Sequence, residues 1–281
     1  MGITRRAFLK KSSLAGGISL LMGGRLLAEP GQPEPRLRFI ALADTHWGGY
    51  EDWRPERKDN TIQAVNAACG AVKTDFIVLN GDIIHDDPKV QIPKFLPNMK
   101  RFDVPVYMTH GNHDIMTDEQ FKRFTGHPKD HHFALDNCGV ILLNTYKCPP
   151  KVEYGDHRSG HIPPDLEFLE DALHTYKDAF HIFVFAHRCP TDRPQSEEWL
   201  ELMRGRGNVS SFYGHAHSRW ETLTIEGKVH HFSGHNTDTT GRWQNWHTYR
   251  VVEVSDAGEI RSSVRDYTND MQRESVIIKP A

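Results

Sequence analysis

The chain lacks any run of about 18 consecutive apolar residues, the length a membrane-spanning helix needs. No stable membrane insertion of its main domain is therefore expected. Cysteine is scarce: Cys69, Cys138, Cys148 and Cys189 are all there is, and no CxxC pair occurs. That argues against a thiolate zinc site. Cys138 and Cys148 flank an apolar run and stand too far apart to bridge each other if that run is an extended strand. A Cys148–Cys189 bridge stays open, but free, mostly buried thiols are the expectation. No internal repeat and no late linker divides the chain. One domain is expected over residues 37–281.

Acidic residues are absent from the first 28 positions, which hold Arg5, Arg6, Lys10, Lys11 and Arg25. Thr4-Arg5-Arg6-Ala7-Phe8-Leu9-Lys10 resembles a twin-arginine export motif. A short, glycine-containing apolar stretch from Leu14 to Met22 follows. Residues 1–28 read as a signal peptide for the twin-arginine export machinery, with an uncleaved anchor as the alternative. Residues 29–36 read as a Pro-rich linker. The expected destination is periplasmic or extracellular. Taking those five positive charges from a net charge of −3 leaves about −8 on the rest. Such a domain does not track nucleic acid by bulk attraction, so none is expected as a partner. An anionic substrate would need positive charge supplied locally.

Apolar, strand-like runs occur at Phe39–Ala43, Phe76–Leu79, Val104–Met108, Val140–Leu143, Ile182–Ala186 and Phe212–Tyr213. Ile62, Val65, Cys69 and Val72 repeat as one helical face. Leu166, Leu169, Leu173 and Tyr176 do the same after Pro163-Pro164. The C-terminal quarter reads as strands with short turns: Glu221–Ile225, Val229–Ser233, His247–Val254 and Glu259–Asp266. An α/β half followed by a β-rich half can pack as two sheets with helices outside.

Polar residues cluster just past these runs: Asp44-Thr45-His46, Gly81-Asp82, Gly111-Asn112-His113-Asp114, His187 and Gly214-His215-Ala216-His217. In open α/β sheets, ligands bind at the carboxyl ends of strands, so the five segments are expected to converge. The glycines are expected to turn the backbone sharply where each strand ends. Imidazole nitrogens and hard oxygens suit Mn, Fe, Zn or Ni alike. Taken together as ligands, Asp44, His46, Asp82, Asn112, His187, His215 and His217 bring two negative charges. Two divalent ions would leave a surplus of about +2 that attracts phosphate esters. One ion would be over-supplied, since transition metals take roughly four to six ligands. D-x-H or G-D alone is weak; the ordered set D-x-H, G-D, G-N-H-D, H, G-H-x-H is far more specific.

That ordered set, over about residues 37–235, resembles the calcineurin-like metallophosphoesterase superfamily. The resemblance implies two mixed β-sheets packed face to face with helices on both outer sides, a four-layer αββα sandwich. By position, Asp44, His46 and His217 would hold a first metal, and Asn112, His187 and His215 a second. Asp82 would bridge both. His113 would be the general acid near the leaving group, and Asp114 would orient it by a hydrogen bond. The implied reaction is attack of a hydroxide held between the ions on a small phosphate monoester or diester. Purple acid phosphatases carry a tyrosine three residues after the bridging aspartate; here that position is His85. The size and the D-x-H form look closer to compact phosphodiesterases and general phosphoesterases.

Besides Asn112 and His113, two histidines are candidate substrate contacts: His85, close to Asp82, and His235, after a late strand. Trp47, Trp53, Trp243 and Trp246 are candidates for a stacking wall. A lipid or lipid-sugar pyrophosphate hydrolase is the second enzyme reading. It needs an exposed apolar patch, for which the stretch Asp87–Met99, read as a loop, is the weak candidate. A non-catalytic scaffold predicts missing ligands, and none is missing.

Overall fold

The computed structural model describes residues 34–47, 55–85, 88–147, 160–189, 197–217, 222–225, 229–233, 248–266 and 272–279. The segment expected to be a signal peptide, most of the expected linker, Cys148, Trp53, His235, Trp243 and Trp246 lie outside them. No helix among the described residues is long and apolar enough to cross a membrane.

One six-stranded sheet runs in the order β14 (Gln272–Ile278), β13 (Ile260–Asp266), β12 (Thr248–Val254), β1 (Leu37–Leu42), β2 (Phe76–Asn80), β3 (Val106–Thr109). Its β1–β2–β3 portion is parallel; β12, β13 and β14 add on antiparallel. The second sheet runs β10 (Thr222–Ile225), β11 (Val229–Ser233), β9 (Val209–Tyr213), β8 (His181–Ala186), β5 (Cys138–Leu143), β4 (His131–Leu135). There β11, β9, β8 and β5 are mutually parallel, and β10 and β4 close the edges antiparallel. A two-stranded ribbon pairs β6 (Tyr146–Lys147) with β7 (Gly160–His161).

Alternation along each strand divides the core into layers. From β1, Leu37, Phe39 and Ala41 face the other sheet, where Phe39 meets Phe183, Phe185 and Phe212. Ile40 and Leu42 face outward, onto α1 (Pro55–Ala71), α2 (Pro88–Met99) and α3 (Asp118–Thr125). On the second sheet, Val140, Leu142, Phe183 and Phe185 point inward. Ile141, Ile182 and Val184 point onto α4 (Leu166–Thr175) and α5 (Glu197–Arg204). Strands buried on both faces read as continuous apolar runs, which is how they stand in the sequence. The result is the expected αββα sandwich.

Pro88–Met99 corrects an expectation: it is helix α2 and not a loop. Pro93 and Pro97 inside it disguise it, since proline removes a donor and crowds the preceding turn. Phe95 is buried in the core, Ile92 and Met99 pack against that core, and Val90, Pro93, Leu96 and Pro97 are exposed. Three of the stretch's large apolar side chains, Ile92, Phe95 and Met99, thus serve the core and not an exposed patch for a lipid substrate. Trp47 is likewise buried, with its ring 4.6 Å from Phe95, and forms no stacking wall. Cys69 and Cys138 are free, buried thiols, and Cys189 is also buried.

Candidate metal centre

Strands β1, β2 and β3 of one sheet and β8 and β9 of the other end at the same edge of the sandwich. The post-β1 and post-β2 segments run side by side there. Asp44 N–H donates to the Gly81 carbonyl, His46 N–H to Asp82 and Trp47 N–H to Ile83, at 3.0, 2.8 and 2.8 Å. The sheets are tied by His215 N–H, which donates to both Asp44 carboxylate oxygens at 3.0 Å; within the second sheet, Gly214 N–H donates to the His187 carbonyl at 2.8 Å.

The sharp turns are made by the polar residues themselves. Asp44, His46, Asp82 and His215 all have left-handed backbones, with φ of 55°, 45°, 48° and 67°. Such a conformation is costly for residues with a Cβ and persists where surrounding structure enforces it. This corrects the role expected of the glycines. Gly81 does take φ +76°, but Gly111 is required by close approach: a Cβ there would lie 2.1 Å from the Asp82 backbone nitrogen.

Two groups of side chains that include carboxylates result, beside an all-histidine group of His46, His85 and His113. Asp44, His46, Asp82 and His217 bring their donor atoms within 4.8 Å of one another, and so do Asp82, His187 and His215. In the first, His46 Nε2 is 3.2 Å from His217 Nε2 and 3.8 Å from Asp82 Oδ2, and His217 Nε2 is 3.3 Å from Asp44 Oδ1. In the second, His187 Nε2 is 3.2 Å from Asp82 Oδ2, and His215 Nδ1 is 2.8 Å from Asn112 Oδ1. All seven ligand candidates are thereby brought together, with Asp82 common to both groups.

The donors fit cations. Ligand atoms about 2.0–2.2 Å from one ion stand roughly 3–3.6 Å apart, close to the spacings here. Asp82 Oδ2 and His187 Nε2 are buried, face each other across 3.2 Å and have no other hydrogen-bond partner among the described residues, a pairing that a shared cation would replace. Burial opposes the charges of Asp44 and Asp82, yet His217 and His187 hold Asp44 below the usual carboxylate range. His187, His46 and His113 hold Asp82 well below it. Burial pulls His46 down to about 3 and, with help from His187, His215 to about 4. Both are thus neutral, the form that ligates. Burial also opposes charge on His187, but Asp82 and Asp44 outweigh it and raise it to about 9.

His113 lies beside the first group, its ring 4.8 Å from His46 and stacked on His85 at 4.7 Å. Its backbone N–H donates to Asp82 Oδ1 at 2.7 Å. His85 Nδ1 is 3.1 Å from His46 Nδ1, the ring nitrogen facing away from the ligand cluster. Asp114 differs from expectation. Its carboxylate accepts from the backbone N–H groups of Ile83, Ile84 and Gly111, each at 2.9 Å, and so is directed to the backbone. Lying fully buried beneath the loop, it fixes the backbone that carries Asp82 and His113. Burial and the neighbouring Asp82 raise it to about 6.

Three contributors escaped sequence reading. Asn80 is fully buried and its carbonyl accepts from His187 Nδ1 at 2.9 Å, which leaves Nε2 facing Asp82. Tyr146 sets its hydroxyl 3.5 Å from His215 Nδ1. Arg188 brings Nη1 to 3.4 Å from His215 Nε2. Asn80 and Arg188 adjoin recognised motif residues, a signal available in the sequence; Tyr146 carries none.

Comparison with known proteins agrees with this geometry. The model of the calcineurin-like phosphoesterase family matches residues 37–252. The DNA double-strand break repair protein Mre11 of Methanococcus maripaludis is 28% identical over 93 residues, 30% of this chain and 25% of that protein. The chain thus matches about a quarter of that relative's length. A dimetal phosphatase from Danio rerio superposes with a TM-score of 0.68 at 15% identity, over 88% of this chain and 100% of its own. A purple acid phosphatase from yellow lupin (Lupinus luteus) seeds superposes with a TM-score of 0.63 at 12% identity, over 88% of this chain and 55% of its own. At these identities the structural likeness is one of fold.

Proposed function

The chain belongs to the calcineurin-like phosphoesterase family, and from that premise we propose that it hydrolyses small phosphate monoesters or diesters with two metal ions. The observation that carries this is the meeting of Asp44, His46, Asp82 and His217 with Asp82, His187 and His215 at one sheet edge. Asp44, His46 and His217 would hold one cation and Asn112, His187 and His215 the other, with Asp82 shared. When bound, such a pair supplies Lewis acidity, which activates water and neutralises charge at phosphorus. Mn, Fe, Zn and Ni all suit these donors.

The chain's own groups do the rest. The Asn80 carbonyl fixes the His187 tautomer so that Nε2 is available for ligation. His113 would hand a proton to the departing ester oxygen. Its backbone bond to Asp82 keeps that acid in register with the shared ligand. His85, stacked on the His113 ring, would hold its plane. The basic N-terminal segment supports export by the twin-arginine pathway. Fused to a reporter, residues 1–28 should direct it out of the cytoplasm, and replacing Arg5 and Arg6 by lysine should retain it; export of both fusions alike would refute the pathway.

The main test strips the protein and reloads it with each metal in turn. Metal content and hydrolysis of p-nitrophenyl phosphate and bis-p-nitrophenyl phosphate are then measured. Two ions per chain and metal-dependent turnover are expected. Two bound ions with no turnover of either ester would defeat the assignment.

A further inference from the structure

We infer that Arg188 is a phosphoryl-binding residue that favours dianionic monoesters over monoanionic diesters; this rests on the phosphoesterase reading above. Arg188 follows His187 directly, at the carboxyl end of β8, and is half-buried. Its Nη1 lies 3.4 Å from His215 Nε2, a marginal contact, and its guanidinium bears on the Tyr146 hydroxyl. Its Nε is buried and has no hydrogen-bond partner among the described residues.

No carboxylate among the described residues pairs with this guanidinium. The ion-paired arginines contrast with it: Arg38 meets Glu253 at 3.2 Å, Arg101 meets Asp59 at 2.7 Å, and Arg204 meets Glu197 at 2.8 Å. A half-buried cation with spare donors, set beside a group of candidate metal ligands, is an arrangement that an anion completes. The planar fork of a guanidinium matches two phosphoryl oxygens. A monoester dianion offers one more anionic oxygen than a diester, so Arg188 discriminates in its favour.

The test uses the metal-loaded full chain as wild type, Arg188→Lys and Arg188→Ala. Calorimetry with inorganic phosphate should show binding weakened about 10- to 100-fold in Arg188→Ala and less in Arg188→Lys. The kcat/KM for p-nitrophenyl phosphate should fall by a similar factor, and that for bis-p-nitrophenyl phosphate by less than about threefold. Metal content should not change. Unchanged phosphate affinity, equal losses on both esters, loss of metal, or a wild type that binds no phosphate would each overturn the inference. A wild type that binds phosphate but hydrolyses neither ester would defeat the functional reading alone, and calorimetry would still decide Arg188.

Discussion

Left-handed backbone at residues other than glycine occurs, among the described residues, at two ends of the sandwich. At one end it falls on Asp44, His46, Asp82 and His215; at the other on Asp136 and Asn137, with φ of 47° and 62°. The second pair forms the two-residue turn joining β4 to β5. Both its residues are exposed, and the turn's twist matches that of the strands. Asp and Asn adopt this conformation readily. The first set is mostly buried, includes two histidines and serves no hairpin. The same dihedral angle is thus a local convenience at one edge and an enforced strain at the other. Strain kept where donors converge marks chemistry.

The largest expected effect breaks the site edge outright. Asp82→Ala removes the one carboxylate common to both ligand groups. Turnover should fall at least about 10³-fold, and metal content below two per chain. Asp82→Gly sharpens the test, because it removes the carboxylate and also relieves the left-handed angle. Metal-free Asp82→Gly should be more stable than metal-free Asp82→Ala by about 1 kcal/mol in urea denaturation. Equal stabilities would mean that this angle stores no strain.

His113→Ala should act on chemistry alone. Turnover should drop about 10²-fold or more for an alkyl phosphate, and less for p-nitrophenyl esters, whose leaving group needs little protonation. Metal content should hold at the wild-type value. An equal drop for both leaving groups would remove His113 from the acid role.

A further variant compares the buried carboxylates with a half-buried one at the site edge. Histidines hold Asp44 and Asp82 low, but burial raises Asp130 to about 6, and the Asn144 N–H that it accepts at 2.7 Å only partly offsets this. A raised folded-state value means that stability is fully present below about pH 4, where Asp130 is protonated in both states, and is lost as pH rises through 6. Asp130→Asn keeps an acceptor for Asn144 and removes the charge. It should stabilise the protein by about 1–2 kcal/mol at pH 8, with the gain vanishing near pH 4. A gain independent of pH would show that Asp130 carries no ionisation penalty.

Most of the site was legible because its residues sit one or two positions past buried, continuous apolar strands. An ordered string of motifs therefore maps onto one sheet edge. What was illegible depends on distance through space. Asp114 stands next to His113 in sequence, yet its carboxylate turns to Ile83 and Ile84 from a separate loop. Helix α2 was hidden by its two internal prolines, Pro93 and Pro97. Helix α3 carried a readable signal in Thr117 and Gln120, whose capping box closes its first turn, but its length of 8 residues gives periodicity little room.

The smallest effect is expected at the far turn, and it calibrates the others. Asn137→Gly suits the second position of such a turn, where glycine is favoured. Glycine also enlarges the unfolded ensemble, which offsets part of any gain. The Asn137 carbonyl, which accepts from Phe180 N–H at 2.8 Å, is untouched by the change. The net shift should stay within about 0.5 kcal/mol, with turnover and metal content unchanged. The same replacement at His46 also relieves a left-handed angle, yet it should abolish metal-dependent turnover, because there the side chain and not the turn is what the backbone serves. If Asn137→Gly instead stabilised by as much as Asp82→Gly exceeds Asp82→Ala, strain would be equal at the two ends, and left-handed backbone would no longer distinguish the site.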